Sequence, residues 1–381
     1  MVDQAELELF RDNVRRFLEE EAQPHYEQWE KDGIVPKSFY RKMGENGLLC
    51  VDQPEEYGGI GAPFEFSVVV LEEAARMGFM ALASNLSVHS DIAAPYILHL
   101  GSEEQKQFYL PRMASGDCIG AIGMTEPGAG SDLQGIRSRA DADGQGGYVV
   151  NGGKTFITNG QNAGVVVAAI KTDPAAGAKG TTLFLLDTDQ DGFSRGRNLE
   201  KIGQHAGDTS ELFFNDLHVP ADALLGGVEG QGFVQMMREL PRERLIIGVQ
   251  AVYGAKGALD ATVKYVQERQ AFGQAIGQFQ NTRFTLAQCA SDIAAAEAFL
   301  NASVAAYERG ELTPEAASAL KLHTTEVMGR VTDACLQLFG GYGYMAEYPI
   351  SRFWTDARVL RIYGGTSEIM KELVARSLLG R

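Results

Sequence analysis

Apolar residues return every three or four positions from the start of this chain, and Leu7, Phe10, Val14 and Phe17 fall on one face of a helix. The helical period runs to about Gly116. It is interrupted at Pro24, at Gly44-Glu45-Asn46-Gly47 and at Gly58-Gly59-Ile60-Gly61, because proline and glycine break the backbone hydrogen-bond ladder. Ser102 followed by Gln105 predicts the start of a further helix, with a hydroxyl cap and a reciprocal amide. Near Cys118 the texture changes to β-branched runs separated by glycine and asparagine, which predicts antiparallel strands. Asn151-Gly152-Gly153 between Tyr148-Val149-Val150 and Thr155-Phe156-Ile157-Thr158 predicts a tight hairpin. Gly164 to Ile170, Thr181 to Leu186 and Glu211 to Phe214 supply more strands, Pro174 to Gly180 a surface loop, and Val219-Pro220 the end of the β region. From about Phe233 the helical period returns, and Leu286, Cys289, Ile293, Leu300 and Val304 form a seam suited to packing against other long helices.

Composition narrows what such a chain can do. Its 381 residues, 45% hydrophobic and 22% charged, suffice for two or three domains with a large core. A formal charge of -16 argues against nucleic acid and anionic membrane surfaces, both of which ask for a basic footprint. No run approaches the roughly 18 apolar residues of a membrane span, and the acidic start Met1-Val2-Asp3-Gln4-Ala5-Glu6 is unlike a signal peptide, so the expected compartment is the cytoplasm. Cys50, Cys118, Cys289 and Cys335 are widely spaced, which suggests buried thiols and neither a metal site nor a disulfide framework.

The motifs that carry chemistry begin with Gly123-Met124-Thr125-Glu126-Pro127-Gly128-Ala129-Gly130-Ser131-Asp132, whose glycines let backbone approach a ligand while N–H groups and hydroxyls offer neutral donors to anionic oxygens. This segment resembles, nearly letter for letter, the flavin and thioester loop of the acyl-CoA dehydrogenase family. The resemblance covers essentially the whole chain. It implies an α+β protein with an N-terminal helical domain (1–117), a middle antiparallel β barrel or sandwich (118–226) and a C-terminal four-helix bundle (227–381). It implies FAD as cofactor, with Ile122, Met124, Thr125, Gly130 and Ser131 in the loop and Phe156, Ile157 and Thr158 against the isoalloxazine ring. Arg269, Phe272 and Gln280 resemble the segment that reaches a neighbouring subunit's FAD, where the planar guanidinium suits a pyrophosphate. Gln337, Gly340 and Gly341 in Gln337-Leu338-Phe339-Gly340-Gly341-Tyr342-Gly343-Tyr344 resemble the adenosine contact across the subunit interface. The Gly341-Tyr342-Gly343 run is not a dinucleotide fingerprint, because it ends a helix instead of following a strand. A shared site implies a homo-oligomer, commonly a tetramer, and the family partner is an electron-transfer flavoprotein.

The family's C-terminal loop corresponds to Arg361-Ile362-Tyr363-Gly364-Gly365-Thr366-Ser367-Glu368-Ile369, but Gly364 stands where many members carry the glutamate base. A glycine keeps its backbone N–H, so the loop with Tyr363, Gly364 and Gly365 retains a donor for the thioester oxygen; Thr366 and Glu368 complete its cofactor side. Leu240-Pro241-Arg242-Glu243-Arg244-Leu245 resembles the long-chain and isovaleryl subset, whose base is borne on a helix, and so Glu243 is the expected catalytic carboxylate. Pro241 is expected in the first turn of that helix, where the macrodipole alone also favours a glutamate. Arg244 matches an arginine near the substrate end of the pocket or forms a structural ion pair; Ser131 joins the substrate contacts. The implied reaction is α,β-dehydrogenation of a medium-to-long acyl-CoA, to whose long-chain enzymes Val88-His89-Ser90-Asp91-Ile92 and the stretch from Ile362 to Glu372 are also similar. An acyl-CoA oxidase, a flavin monooxygenase relative and an inactive flavoprotein subunit are the alternatives.

Overall fold

The computed structural model describes residues 3–380; Met1 and Val2, at the acidic start, lie outside it. The first part is helical: α1 (Gln4–Glu21), α2 (Tyr26–Asp32), α3 (Lys37–Glu45), α4 (Phe64–Arg76), α5 (Met80–Leu86), a π-helical turn Ser87–Ala93, α6 (Ala94–Leu100) and α7 (Glu103–Ala114). Leu7, Val14 and Leu18 bury the predicted face of α1, with Phe10 and Phe17 packed at its margin. Ser102 and Gln105 exchange the two hydrogen bonds of a capping box at the start of α7.

Seven strands follow: β1 (Ile119–Gly123), β2 (Arg139–Ala142), β3 (Tyr148–Thr158), β4 (Ala163–Lys171), β5 (Thr181–Asp187), β6 (Phe193–Asn198) and β7 (Thr209–Val219). They run in the order β1-β4-β2-β3-β7-β6, with β5 also on β4. The expected purely antiparallel sheet is corrected to a mixed one, since β1 and β2 each pair with β4 in parallel. Strands β4 and β5 read as continuous apolar runs because both faces are covered. Val165, Val167, Leu183 and Leu185 pack into the helical core, whereas Val166, Ala168, Phe184 and Leu186 fill the β domain's own core.

The predicted hairpin at Asn151-Gly152-Gly153 does not form. β3 passes straight through it, paired with β2 and β7, and only shifts register between Val150 and Gly152. Gly152 is required there for another reason: its φ is 144°, and a Cβ would stand 2.4 Å from the Ser138 hydroxyl. Asn151 spends its side chain on Asp216 of the neighbouring strand and not on a turn. The reversal before β3 lies instead at Asp143 to Gly147, where the Asp143 carboxylate accepts from the Gln145 and Gly147 N–H groups.

The last part comprises α8 (Gly232–Glu268), a short ribbon of β8 (Gln270–Ala271) and β9 (Gln274–Ala275), α9 (Gln280–Glu308), α10 (Pro314–Phe339), α11 (Pro349–Ala357) and α12 (Ser367–Leu379). α8 packs on α4, α9 and α10 and is the spine joining the helical regions. Pro241 lies inside α8, nine residues after its start, so the expected first-turn position of Pro241 and Glu243 is corrected. The macrodipole, which fades within one turn, therefore does not explain Glu243. The four cysteines are buried and free. Among the described residues no helix is long and apolar enough to cross a membrane.

Candidate active site

Glu243 stands in the interior of α8, only 7% exposed. Tyr96 on α6 donates its hydroxyl to Oε1 at 3.0 Å. Burial lifts the Glu243 carboxyl to about 7; the Tyr96 hydrogen bond and the Arg244 charge pull against this, and the Glu239 charge adds to it. Such a carboxyl is near the protonation balance that general base chemistry needs at neutral pH.

One turn further along the same face is Ile247, and against it lies Gly364. Gly364 has φ 63°, and a Cβ there would meet the Ile247 Cδ1 at 2.4 Å. Among the described residues the Gly364 N–H donates to no backbone acceptor, leaving it free for a ligand. Lys321 of α10 holds the Gly365 carbonyl, and burial beside Arg244 lowers that lysine to about 8. Tyr363 is fixed by Gln250 Oε1 at 3.3 Å and by the Ser84 hydroxyl at 3.2 Å, while Gln250 donates to Ser87. Arg244 donates to Ser318 at 3.1 Å and has a buried Nε without a protein acceptor. Its burial lowers its pKa, which the Glu243 charge opposes.

The loop from Met124 to Ser131 rests on a buried lysine that the sequence reading did not single out. Lys154, on β3, donates to Glu126 Oε1 at 2.7 Å, to the Ala169 carbonyl at 2.6 Å and to the Met124 carbonyl at 3.3 Å. Glu126 also accepts from the Arg137 and Ser138 N–H groups, and Thr125 offers its carbonyl to Thr155. The signal available was a lone cation in a strand with no other charged residue. A Cβ added at Gly128 or Gly130 would meet nothing within 4 Å, so this turn is open on its ligand side.

Phe156 is held at φ 60° and is 67% exposed, an unfavourable backbone and an unburied ring in the same residue. Outliers of this kind cluster at binding sites. Ile157, by contrast, is buried in the β core; its side chain packs inward, and its backbone is the part that a ligand can meet. Ile122, Met124 and Thr158 are half-buried at the strand ends, and Gly130 and Ser131 are exposed. The next residue, Asn159, donates to the Asn85 carbonyl of α5 at 2.9 Å. Because Ser84 contacts Tyr363, α5 brings the β3 end and the glycine loop to one place.

The remaining sequence-predicted residues lie elsewhere in the chain. Arg269, Gln337, Gly340 and Gly341 line one open cavity of about 500 Å³ together with Tyr342, over whose ring the Arg269 guanidinium sits at 5.3 Å. Phe272, 95% exposed, projects from the β8–β9 ribbon, and Gln280 opens α9. Arg269 follows Glu243 by most of the length of α8, roughly 40 Å at 1.5 Å per residue, too far for both to serve one small-molecule headgroup within one chain. Thr366 caps α12 by accepting from the Ile369 N–H, and Glu368 is exposed in its first turn. An aromatic face, an open glycine turn and a guanidinium cavity fit FAD's ring and diphosphate.

A buried carboxylate on α8, one turn from the Ile247 that abuts a glycine loop, in a chain of two helical regions around a β domain, is the frame of a flavoprotein of the acyl-CoA dehydrogenase type. The chain belongs to that family: it matches the acyl-CoA dehydrogenase N-terminal domain over residues 4–117, the middle domain over 121–217 and the C-terminal domain over 230–379. It is 45% identical over 377 residues to a mitochondrial long-chain specific acyl-CoA dehydrogenase of Sus scrofa, covering 98% of this chain and 87% of that one. A crystal structure of an acyl-CoA dehydrogenase from Geobacillus kaustophilus superposes with TM-score 0.96 at 46% identity, covering 99% and 98% of the two chains. A glutaryl-CoA dehydrogenase from Mycobacterium smegmatis in complex with FADH2 gives 0.93 at 29% identity, over 100% and 96%. Members of the family are oxidoreductases that bind FAD.

Proposed function

We propose that this chain oxidises medium-to-long-chain acyl-CoA thioesters to trans-2-enoyl-CoA, with Glu243 as the base. The observation that carries this reading is the buried Glu243 carboxyl, lifted to about 7, one helical turn from the Ile247 that abuts Gly364. Glu243 removes the α-proton, and the electron pair left behind moves toward the thioester carbonyl. The free N–H of Gly364 meets the negative charge on that oxygen, the preorganised donor such a step needs. FAD, when bound, supplies the acceptor for the β-hydride. Tyr96 orients the carboxylate, and burial excludes water that would protonate the carbanion. Chain length rests on the long-chain relative and on the Val88 to Ile92 and Ile362 to Glu372 segments. Anaerobic flavin bleaching by saturated acyl-CoAs of increasing length, with isovaleryl-CoA included, tests it. A maximum between medium and long straight chains is expected; a maximum with the branched short chain overturns the length assignment.

The expected partners follow from the same reading. An exposed Phe272 and an Arg269 cavity far from Glu243 suit a cofactor gripped by two chains, and a homotetramer is proposed on that ground. Electrons leave to an electron-transfer flavoprotein. The cytoplasm is carried forward as the proposed compartment, with the mitochondrial long-chain relatives offering the alternative; fractionation of the source cells decides between them. The division at 1–117, 118–226 and 227–381 is carried forward in the same way, and limited proteolysis near residues 118 and 227 tests it.

A carboxylate returned to position 364 gives a constructive test of geometry. Glu243→Gly with Gly364→Glu is expected to recover little activity, since any Cβ at 364 meets Ile247 Cδ1 at 2.4 Å. Adding Ile247→Val deletes that methyl group. The triple variant is expected to bleach flavin at least about tenfold faster than the double, a change of ~1.4 kcal/mol in barrier; equal rates would remove Ile247 as the obstacle.

A further inference from the structure

Glu243 shares its face of α8 with a second buried carboxylate. Glu239 precedes it by one turn and is equally withdrawn from solvent. α6 answers both: Tyr96 reaches Glu243 at 3.0 Å, and His99, three residues on, places Nδ1 3.0 Å from Glu239 Oε2. Glu239 and His99 line an open cavity of about 580 Å³ with Phe64, Arg242, Tyr307 and Leu312, and no residue of the Tyr363–Gly365 loop takes part in it. The pair therefore lies outside the proposed substrate chamber, yet its carboxylate is one turn from the base.

We propose that Glu239, held by His99, is a positioning residue that acts through Glu243: its negative charge resists ionisation of the base and raises the pH at which the base becomes competent. This rests on the assignment of Glu243 as the base.

The other charges around the pair are committed elsewhere. Arg242, between the two carboxylates in sequence on α8, is bound to Asp52 and Asp91 and stacked on Phe64. Arg244 turns to Ser318 on α10 and opposes the effect of Glu239. Arg238 is exposed to solvent. On α9 the Tyr307 hydroxyl accepts from Arg242, and Glu308 lies against Glu65 at the start of α4. Tyr96 is neutral, its hydroxyl pushed far up by burial and by Glu243. Glu239, in contact with His99, acts on Glu243 after burial, Tyr96 and Arg244 in order of effect, and its removal lowers the pH needed to ionise the base.

The test uses the FAD-loaded enzyme, with anaerobic bleaching by dodecanoyl-CoA followed across the neutral pH range. Glu239→Gln, which keeps the side-chain shape, is expected to displace the acid limb of the rate profile downward by about one pH unit. Glu239→Asp, which keeps the charge, is expected to leave the limb near the wild-type position. Infrared titration of substrate-free protein gives a readout independent of turnover: the buried carboxyl band that Glu243→Gln deletes should titrate in two coupled steps in the wild type and in one, at lower pH, in Glu239→Gln. A wild-type band with a single step overturns the proposal even if Glu239→Gln does not fold, and so does an unmoved limb in a folded Glu239→Gln with normal FAD content. If Glu243→Gln still bleaches at the wild-type rate, the base assignment fails; if Glu243→Gln is dead while the Glu239→Gln limb is unmoved, only the coupling fails.

Discussion

Glu243→Gln is expected to slow flavin reduction by acyl-CoA about 10³-fold, the middle of the range for loss of a general base, equivalent to ~4 kcal/mol of barrier. The substitution is nearly isosteric, and the amide oxygen can still accept from Tyr96, which contacts the Oε1 position. Packing around α8 is therefore preserved while proton affinity is removed. Glu239 cannot substitute, because it is engaged by His99 and faces a separate cavity. FAD content should remain normal, since none of the residues proposed to hold the cofactor touches Glu243 through a hydrogen bond. pH supplies a second signature. A base is competent when deprotonated, and Glu243 sits at about 7, so the wild-type kcat/KM should fall as pH drops through that value. The residual rate of the variant should lack that limb. Stopped-flow bleaching under anaerobic conditions checks both, and a variant that bleaches at the wild-type rate would refute the assignment.

Lys154→Met is expected to destabilise the protein by about 3 kcal/mol or more, as breaking one partner of a buried ion pair does. The ammonium is fully enclosed and bonded to Glu126 and to two carbonyls. Burial would by itself raise the Glu126 carboxyl, but the Lys154 charge and hydrogen bond, with the Arg137 and Ser138 N–H groups, hold it below its usual range. Without the lysine, that carboxylate is left poorly compensated under the Met124 to Ser131 loop. Weaker FAD retention should accompany the loss of stability, since the loop's backbone would no longer be fixed. Lys154→Met combined with Glu126→Gln should regain part of the loss, because the orphan charge is gone; a double-mutant cycle in urea measures the coupling. A single Lys154→Met change within 1 kcal/mol of wild type, on the order of an ordinary surface substitution, would show the pair to be dispensable.

Local patterns made most of the architecture legible before any coordinates. The three-and-four spacing in α1, the capping box at Ser102 and the apolar runs of β4 and β5 each depend on near neighbours in sequence. Misreadings arose where distant partners outvoted a local rule. Asn151-Gly152-Gly153 is turn-like by itself, but β2 and β7 supply hydrogen bonds on both sides and carry the strand through. Pro241 resembles a first-turn proline, yet α8 starts earlier because its packing against α4 and α10 outweighs one missing donor. At the site, Gly364 and Glu243 were readable as a pair, and the structure places their elements in contact through Ile247. Tyr96, Lys154 and the Glu239–His99 pair were not singled out. Their roles depend on which helix or strand stands opposite, information that spacing along one element does not contain.

The methyl group of Ile247 also bears on how such a site can change over generations. Under the proposed assignment, a chain that gains a glutamate at 364 first meets a crowded, positive-φ position, and a chain that loses Glu243 first has no base. Moving the carboxylate from helix to loop thus also asks the Ile247 side chain to swing aside or shorten. A side chain with no chemistry of its own weighs on where the base can stand.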